Sequence, residues 1–168
     1  MSSQVLSNQQ STVLAVWVRL LRGHAFASRE MNKQLNDDHR ISLNDFQTLL
    51  LLSRADQGMM RRIDLAGELQ LTASGVTKLL DGLQAAGYVD KAHCSSDARV
   101  TYAVLTESGR EKLASCTCSH IASIQDMLQD RYTEEELATL SDLLGRLAGD
   151  TGDEACGLGE QPPAAATP

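Results

Sequence analysis

"DLAGELQLTASGVTKLLDGLQAAGYVDKAHCSSDARVTYAVL", residues 64–105, decides the fold, because it runs without interruption as helix, tight turn, helix and hairpin. Residues 64–69 predict a short helix in which Leu65 and Leu69, four apart, share one face. Gln70 and Leu71 make the turn, and Thr72 stands where an N-cap hydroxyl would accept from the next helix. In that second helix Val76, Leu79, Leu80 and Leu83 follow the spacing of one buried stripe, while Ser74, Lys78 and Ala85 fall on the opposite side. Gly87 sits where a helix-ending left-handed residue belongs. Two β-rich runs follow, 88–93 and 100–105, with Val100, Tyr102 and Val104 alternating onto one face. The polar residues 94–99 join them as a wing.

These residues, extended to "TESGREKL" at 113, resemble the DNA-binding lobe of MarR-type bacterial transcription regulators. The resemblance includes the Asp97-x-Arg99 wing tip and the Leu105-Thr106-Glu107-x-Gly109 exit into the next helix, and helix order extends it over roughly residues 11–148. It implies a mainly α fold with a small two-stranded β wing, a winged helix-turn-helix lobe plus long N- and C-terminal dimerisation helices. The expected organisation is a flexible segment 1–10, one domain 11–148 with helices 11–40 and 107–148 flanking a lobe 41–106, and an acidic, Pro-rich disordered tail 149–168.

Outside the lobe the pattern is helical. Leu14, Trp17, Leu21, Met31 and Leu35 belong to a stripe on a helix of residues 11–35; Phe46, Leu49 and Leu50 lie on a second, begun near Ser42 and closed by the turn Asp56-Gln57-Gly58. Residues 107–131 predict another long helix, carrying Leu113, Ile121, Ile124 and Leu128. Thr133 and Glu136 form a capping box at the head of the last, whose Leu137, Leu140, Leu144 and Leu147 make a sustained stripe. Apolar surface in surplus at both ends, including Leu14 and Leu21, predicts a homodimer with interlocking terminal helices.

The 168 residues suit one domain, and with two Phe, three Tyr and one Trp its core must be aliphatic. The net charge of −7 speaks against a polyanionic partner until its distribution is read. Residues 1–40 carry five basic and three acidic side chains, residues 61–112 seven of each, and residues 113–168 two against ten. With a Debye length of about 8 Å at physiological salt, distant acidity is hidden from a reading face. Double-stranded DNA therefore remains an expected partner, bound in a salt-sensitive way by two lobes together.

Within a helix-turn-helix the outward N-terminal half of the second helix enters the major groove, which nominates Thr72, Ser74, Gly75, Thr77 and Lys78. Lys78 is the long cation of that face. Lys91, with Arg61 or Arg62, suits phosphate contact. For Arg99 the resemblance implies a minor-groove contact oriented by Asp97, whereas a simple surface pair of the two is the alternative.

The chain shows no P-loop, dinucleotide fingerprint, His-Glu-x-x-His or nucleophile elbow, so neither catalysis nor a cofactor is expected. Cys116 and His120 share a helix face, but Cys118 points about 200° away from Cys116, and no metal site is expected. The four cysteines lack framework spacing, and residues 13–21 are too short to span a bilayer, so a cytoplasmic protein with reduced thiols and no membrane association is expected. The resemblance implies a small organic effector, phenolic or otherwise aromatic, met by Trp17, Arg22, His24 and Phe46. Two alternatives remain open: a thiol-based redox sensor, for which Cys94 is the candidate although the first helix carries no cysteine, and a winged-helix dimer that binds protein without DNA.

Overall fold

The computed structural model describes residues 8–93 and 100–148. Its order is α1 (Asn8–His39), α2 (Leu43–Arg54), a single 3-10 turn (Asp56–Gly58), β1 (Met59–Arg61), α3 (Arg62–Glu68), α4 (Ala73–Ala85), β2 (Val89–His93), β3 (Thr101–Leu105), α5 (Glu107–Gln129) and α6 (Glu134–Ala148). The chain falls into two compact units, Met1–Leu43 and Asn44–Pro168. No helix of the described residues is long and apolar enough to cross a membrane.

The first unit is essentially α1, one turn longer at its C-terminal end than the periodicity predicts. It ends where Arg40 adopts φ 58°, letting the Ile41 amide return to the Leu35 carbonyl. The Asn32 side chain then receives the Leu43 amide at 3.0 Å, which satisfies an otherwise unpaired donor at the start of α2. Met31, Leu35 and Ile41 are buried, whereas Val13, Leu14, Val16, Trp17, Val18 and Leu21 are exposed.

In the second unit the core gathers Phe46, Leu49 and Leu52 of α2, Leu65 of α3, Val76, Leu80 and Leu83 of α4, Val89 and Leu105 of the sheet, and Leu113 and Cys116 of α5. Such aliphatic burial is the main stabilising term, roughly 1.5–3 kcal/mol per fully buried side chain. The tilted rings of Phe46 and His120 lie 4.5 Å apart, which explains a buried histidine on α5.

The sheet has three antiparallel strands in the order β1-β3-β2, one more than the expected two. Met59, Met60 and Arg61 pair with Val104, Ala103 and Tyr102 along the free edge of β3. Three residues without alternation carry no strand signal of their own; they are extended because Gln57 and Gly58, at φ 53° and 69°, turn the chain back onto that edge. The hairpin keeps its expected register, Val89 opposite Leu105 through His93 opposite Thr101. Its core face is not that of Val100, Tyr102 and Val104: Ala103 and Leu105 are buried, and Tyr102 and Val104 only partly so.

Thr106 joins the hairpin to α5. Its hydroxyl donates to the Gly87 carbonyl at 2.7 Å and accepts the Gly109 amide at 3.0 Å, so one side chain ties the end of α4 to the start of α5. Gly109 is required there by close approach: a Cβ at this position would lie 2.2 Å from the Tyr88 carbonyl oxygen. At the head of α6 the capping box forms reciprocally, Thr133 N–H to Glu136 Oε2 at 2.9 Å and Glu136 N–H to Thr133 Oγ1 at 3.3 Å.

Candidate nucleic-acid interface

The helix-turn-helix is built by paired terminations. α3 stops at Leu69, Gln70 takes φ 52°, and the Gln70 and Leu71 amides return to the Gly67 and Ala66 carbonyls. This is a Schellman closure made by a non-glycine residue. α4 stops the same way, with Gly87 at φ 77° and the Gly87 and Tyr88 amides on the Gln84 and Leu83 carbonyls. Between them Thr72 caps α4, its hydroxyl accepting the Gly75 amide at 3.1 Å with the Ser74 hydroxyl 3.2 Å away. Ala73 and Ser74, at the positive end of the helix dipole, are small and exposed.

Along α4, Val76, Leu80 and Leu83 are buried and Leu79 is partly so, while Ser74, Lys78 and Ala85 are exposed as the periodicity predicts. Thr77 is half-buried; its hydroxyl donates to the Ala73 carbonyl at 2.8 Å and lies 3.4 Å from an Arg62 guanidinium nitrogen, which links α3 to α4. Gly75 has the Thr72 hydroxyl 3.2 Å from where a Cβ would stand, so a side chain there would press on the cap itself.

Two of the candidate phosphate contacts are engaged inside the lobe. Arg61 donates to both Asp64 oxygens, at 2.6 and 2.8 Å, and the hydrogen bond to Asp64 followed by its charge raises the Arg61 pKa further above its ordinary value. Lys91 of β2 donates to Asp81 of α4. Asp81 escaped the sequence reading, although the signal was present: it lies seven residues after Ser74 and three after Lys78, hence on the same helix face.

The wing tip, with Cys94, Asp97 and Arg99, lies outside the described residues, as do Cys156 and the tail 149–168. Trp17, Arg22 and His24 are exposed on α1, His24 within 3.4 Å of the Ser28 hydroxyl; Phe46 belongs to the core of the other unit. Of the dimerisation candidates Leu14, Leu21, Leu144 and Leu147 are exposed, Leu137 and Leu140 half-buried. Cys116 and His120 are buried while Cys118 is exposed, and the described residues contain no cluster of three or more metal-ligating side chains.

Helix, left-handed turn, capped helix and wing on a small antiparallel sheet define a winged helix-turn-helix, a class that reads nucleic acid through its second helix. The model of the transcriptional regulator SarA/Rot family matches residues 30–116, and the chain belongs to that family, as a transcription regulator of the MarR type. Its members are regulators rather than enzymes. Among curated relatives, the HTH-type transcriptional repressor YetL of Bacillus subtilis is 30% identical over 107 residues; the match covers 64% of this chain, which spans 64% of YetL's length. Among solved structures, AbsC, a MarR family transcriptional regulator from Streptomyces coelicolor, is similar at a TM-score of 0.73 and 26% identity, covering 88% of this chain and 97% of AbsC. Sco3205 from the same organism, a MarR family regulator solved in complex with DNA, shares the fold at a TM-score of 0.75 and 22% identity, covering 94% of this chain and 96% of its own.

Proposed function

We propose that this protein is a homodimeric, cytoplasmic regulator that binds a pseudo-palindromic operator in double-stranded DNA and represses transcription until a small organic effector releases it. The observation that carries the reading is the face of α4, where a Thr72-capped N-terminus is followed by exposed Ser74 and Lys78. Thr72, Ser74, Gly75, Thr77 and Lys78 approach the major groove, Arg62 serves the backbone side, and Arg99, oriented by Asp97, enters the minor groove.

Dimerisation is supported by exposed apolar side chains on the terminal helices. Leu14, Trp17 and Leu21 on α1, and Leu143, Leu144 and Leu147 on α6, are all exposed by more than 40%. Large exposed apolar patches of this kind mark interaction sites. A second copy supplies matching surfaces, because a two-fold operator lets each face meet its own counterpart. For the effector, Trp17 and His24, seven residues apart, share one face of exposed α1 and offer two rings suited to an aromatic acid or phenol, while Arg22 supplies a cation about 140° round the helix from Trp17.

One observation favours a winged-helix module that binds protein without DNA: the two ion pairs Arg61–Asp64 and Lys91–Asp81 neutralise cations of an already neutral lobe. Selection from a pool of random duplexes, followed by gel shift with and without excess unselected DNA, separates the two. Enrichment of one inverted repeat supports the operator reading. Recovery of no sequence leaves the protein-binding module.

A further inference from the structure

The reading face of α4 carries a carboxylate. At about 100° per residue Asp81 stands roughly 20° from Ser74 and 60° from Lys78, so it points with them, and its side chain is 58% exposed. On a helix meant for a polyanion this charge opposes binding. Among the described residues the cation that reaches it is Lys91, which leaves β2 from the same strand face as buried Val89, opposite the small Ala103, and donates to Asp81 across the gap between sheet and helix. The Lys91 side chain is 30% exposed, so it is partly shielded where it lies.

The geometry points to Lys91 as the counter-charge of Asp81, a positioning residue that cancels the recognition helix's carboxylate, with Asp81 setting an upper limit on affinity for DNA. The inference rests on the operator reading above. It differs from a simple phosphate contact in how the two side chains couple. A phosphate-bound Lys91 contributes the same amount whatever residue stands at position 81. A counter-charge contributes chiefly while Asp81 is present, because its removal leaves an uncompensated negative charge within a Debye length, about 8 Å, of several phosphates. Stability does not report on this, since an exposed pair adds little to folding.

The test is a double-mutant cycle with Asp81→Asn, Lys91→Ala and the combined variant, titrated by fluorescence anisotropy against a duplex of about 40 base pairs selected by the unmodified protein from a random pool. Lys91→Gln repeats the lysine arm while keeping a long polar side chain, and thermal unfolding of every variant tracks the fold. Asp81→Asn is expected to tighten binding roughly 3- to 10-fold, and Lys91→Ala to weaken it by about tenfold. The double variant is expected to bind within about twofold of Asp81→Asn alone, and so tighter than the original, because Lys91 has no carboxylate left to cancel; melting temperatures are expected to be unchanged throughout. An equal loss from Lys91→Ala with and without the Asp81→Asn change overturns the inference while leaving the operator reading intact. Failure of the unmodified protein to select any duplex defeats both.

Discussion

Replacing Gly109 with alanine places a methyl group where the fold has no room. The added Cβ would stand 2.2 Å from the Tyr88 carbonyl oxygen, 3.1 Å from its carbonyl carbon and 2.7 Å from Leu105 Cδ1. The first is backbone, and it cannot swing away as a side-chain tip could, because it already accepts the Thr106 amide at 3.2 Å. Relief requires moving the start of α5 off the sheet by about 1 Å, at an overpacking cost of about 1–3 kcal/mol. Weakening the Thr106 bond adds about 1 kcal/mol, and alanine's better helix propensity returns about 0.5–1 kcal/mol. The net expectation is a loss of about 1–3 kcal/mol. Urea unfolding at fixed protein concentration reads it as a midpoint lowered by about 1 M with an unchanged slope. Gly82→Ala is the control: nothing lies within 4 Å of its Cβ on exposed α4, and a gain of up to about 1 kcal/mol is expected. A Gly109→Ala protein as stable as its parent would refute the close approach of α5 to the Tyr88 carbonyl.

Three further outcomes follow from the same geometry. Lys78→Ala is expected to weaken specific DNA binding by about 1–3 kcal/mol if the lysine reads a base edge, measured by gel shift at constant salt; near-parental affinity removes it from the reading face. Leu140→Asp combined with Leu144→Asp is expected to yield monomer or aggregate by multi-angle light scattering, and an intact dimer would place the α6 stripe in internal core. Gln70→Gly relieves a left-handed residue in the helix-turn-helix turn and is expected to raise stability by up to about 1 kcal/mol in thermal melts, while a loss would show that the glutamine side chain contributes there.

What could be read from sequence was local. Thr72, Gly87 and the Thr133–Glu136 box were legible because a cap is made within one turn of chain, and the buried stripe of α4 because its period is set by helix geometry. β1 was not legible: Met59-Met60-Arg61 becomes a strand only by completing the edge of β3, a partner more than forty residues away. The same holds for the core face of the hairpin. Small Ala103 is buried and aromatic Tyr102 only partly so, because Ala103 shares its strand face with Leu105, whose side chain meets the start of α5 at Gly109, a choice that alternation alone leaves open. The engagement of Lys91 and Arg61 by carboxylates was invisible for a related reason. A long flexible cation reads as a phosphate contact until the position of the nearest anion is known.

Two copies of this lobe reading one site through paired α4 helices would leave a paired footprint on DNA. Hydroxyl-radical footprinting on the selected duplex tests it most directly. The expected result is two protected stretches related by two-fold symmetry and centred about 10 base pairs apart on one face of the duplex. A single unrepeated footprint, or uniform protection that disappears under excess unselected DNA, would contradict it.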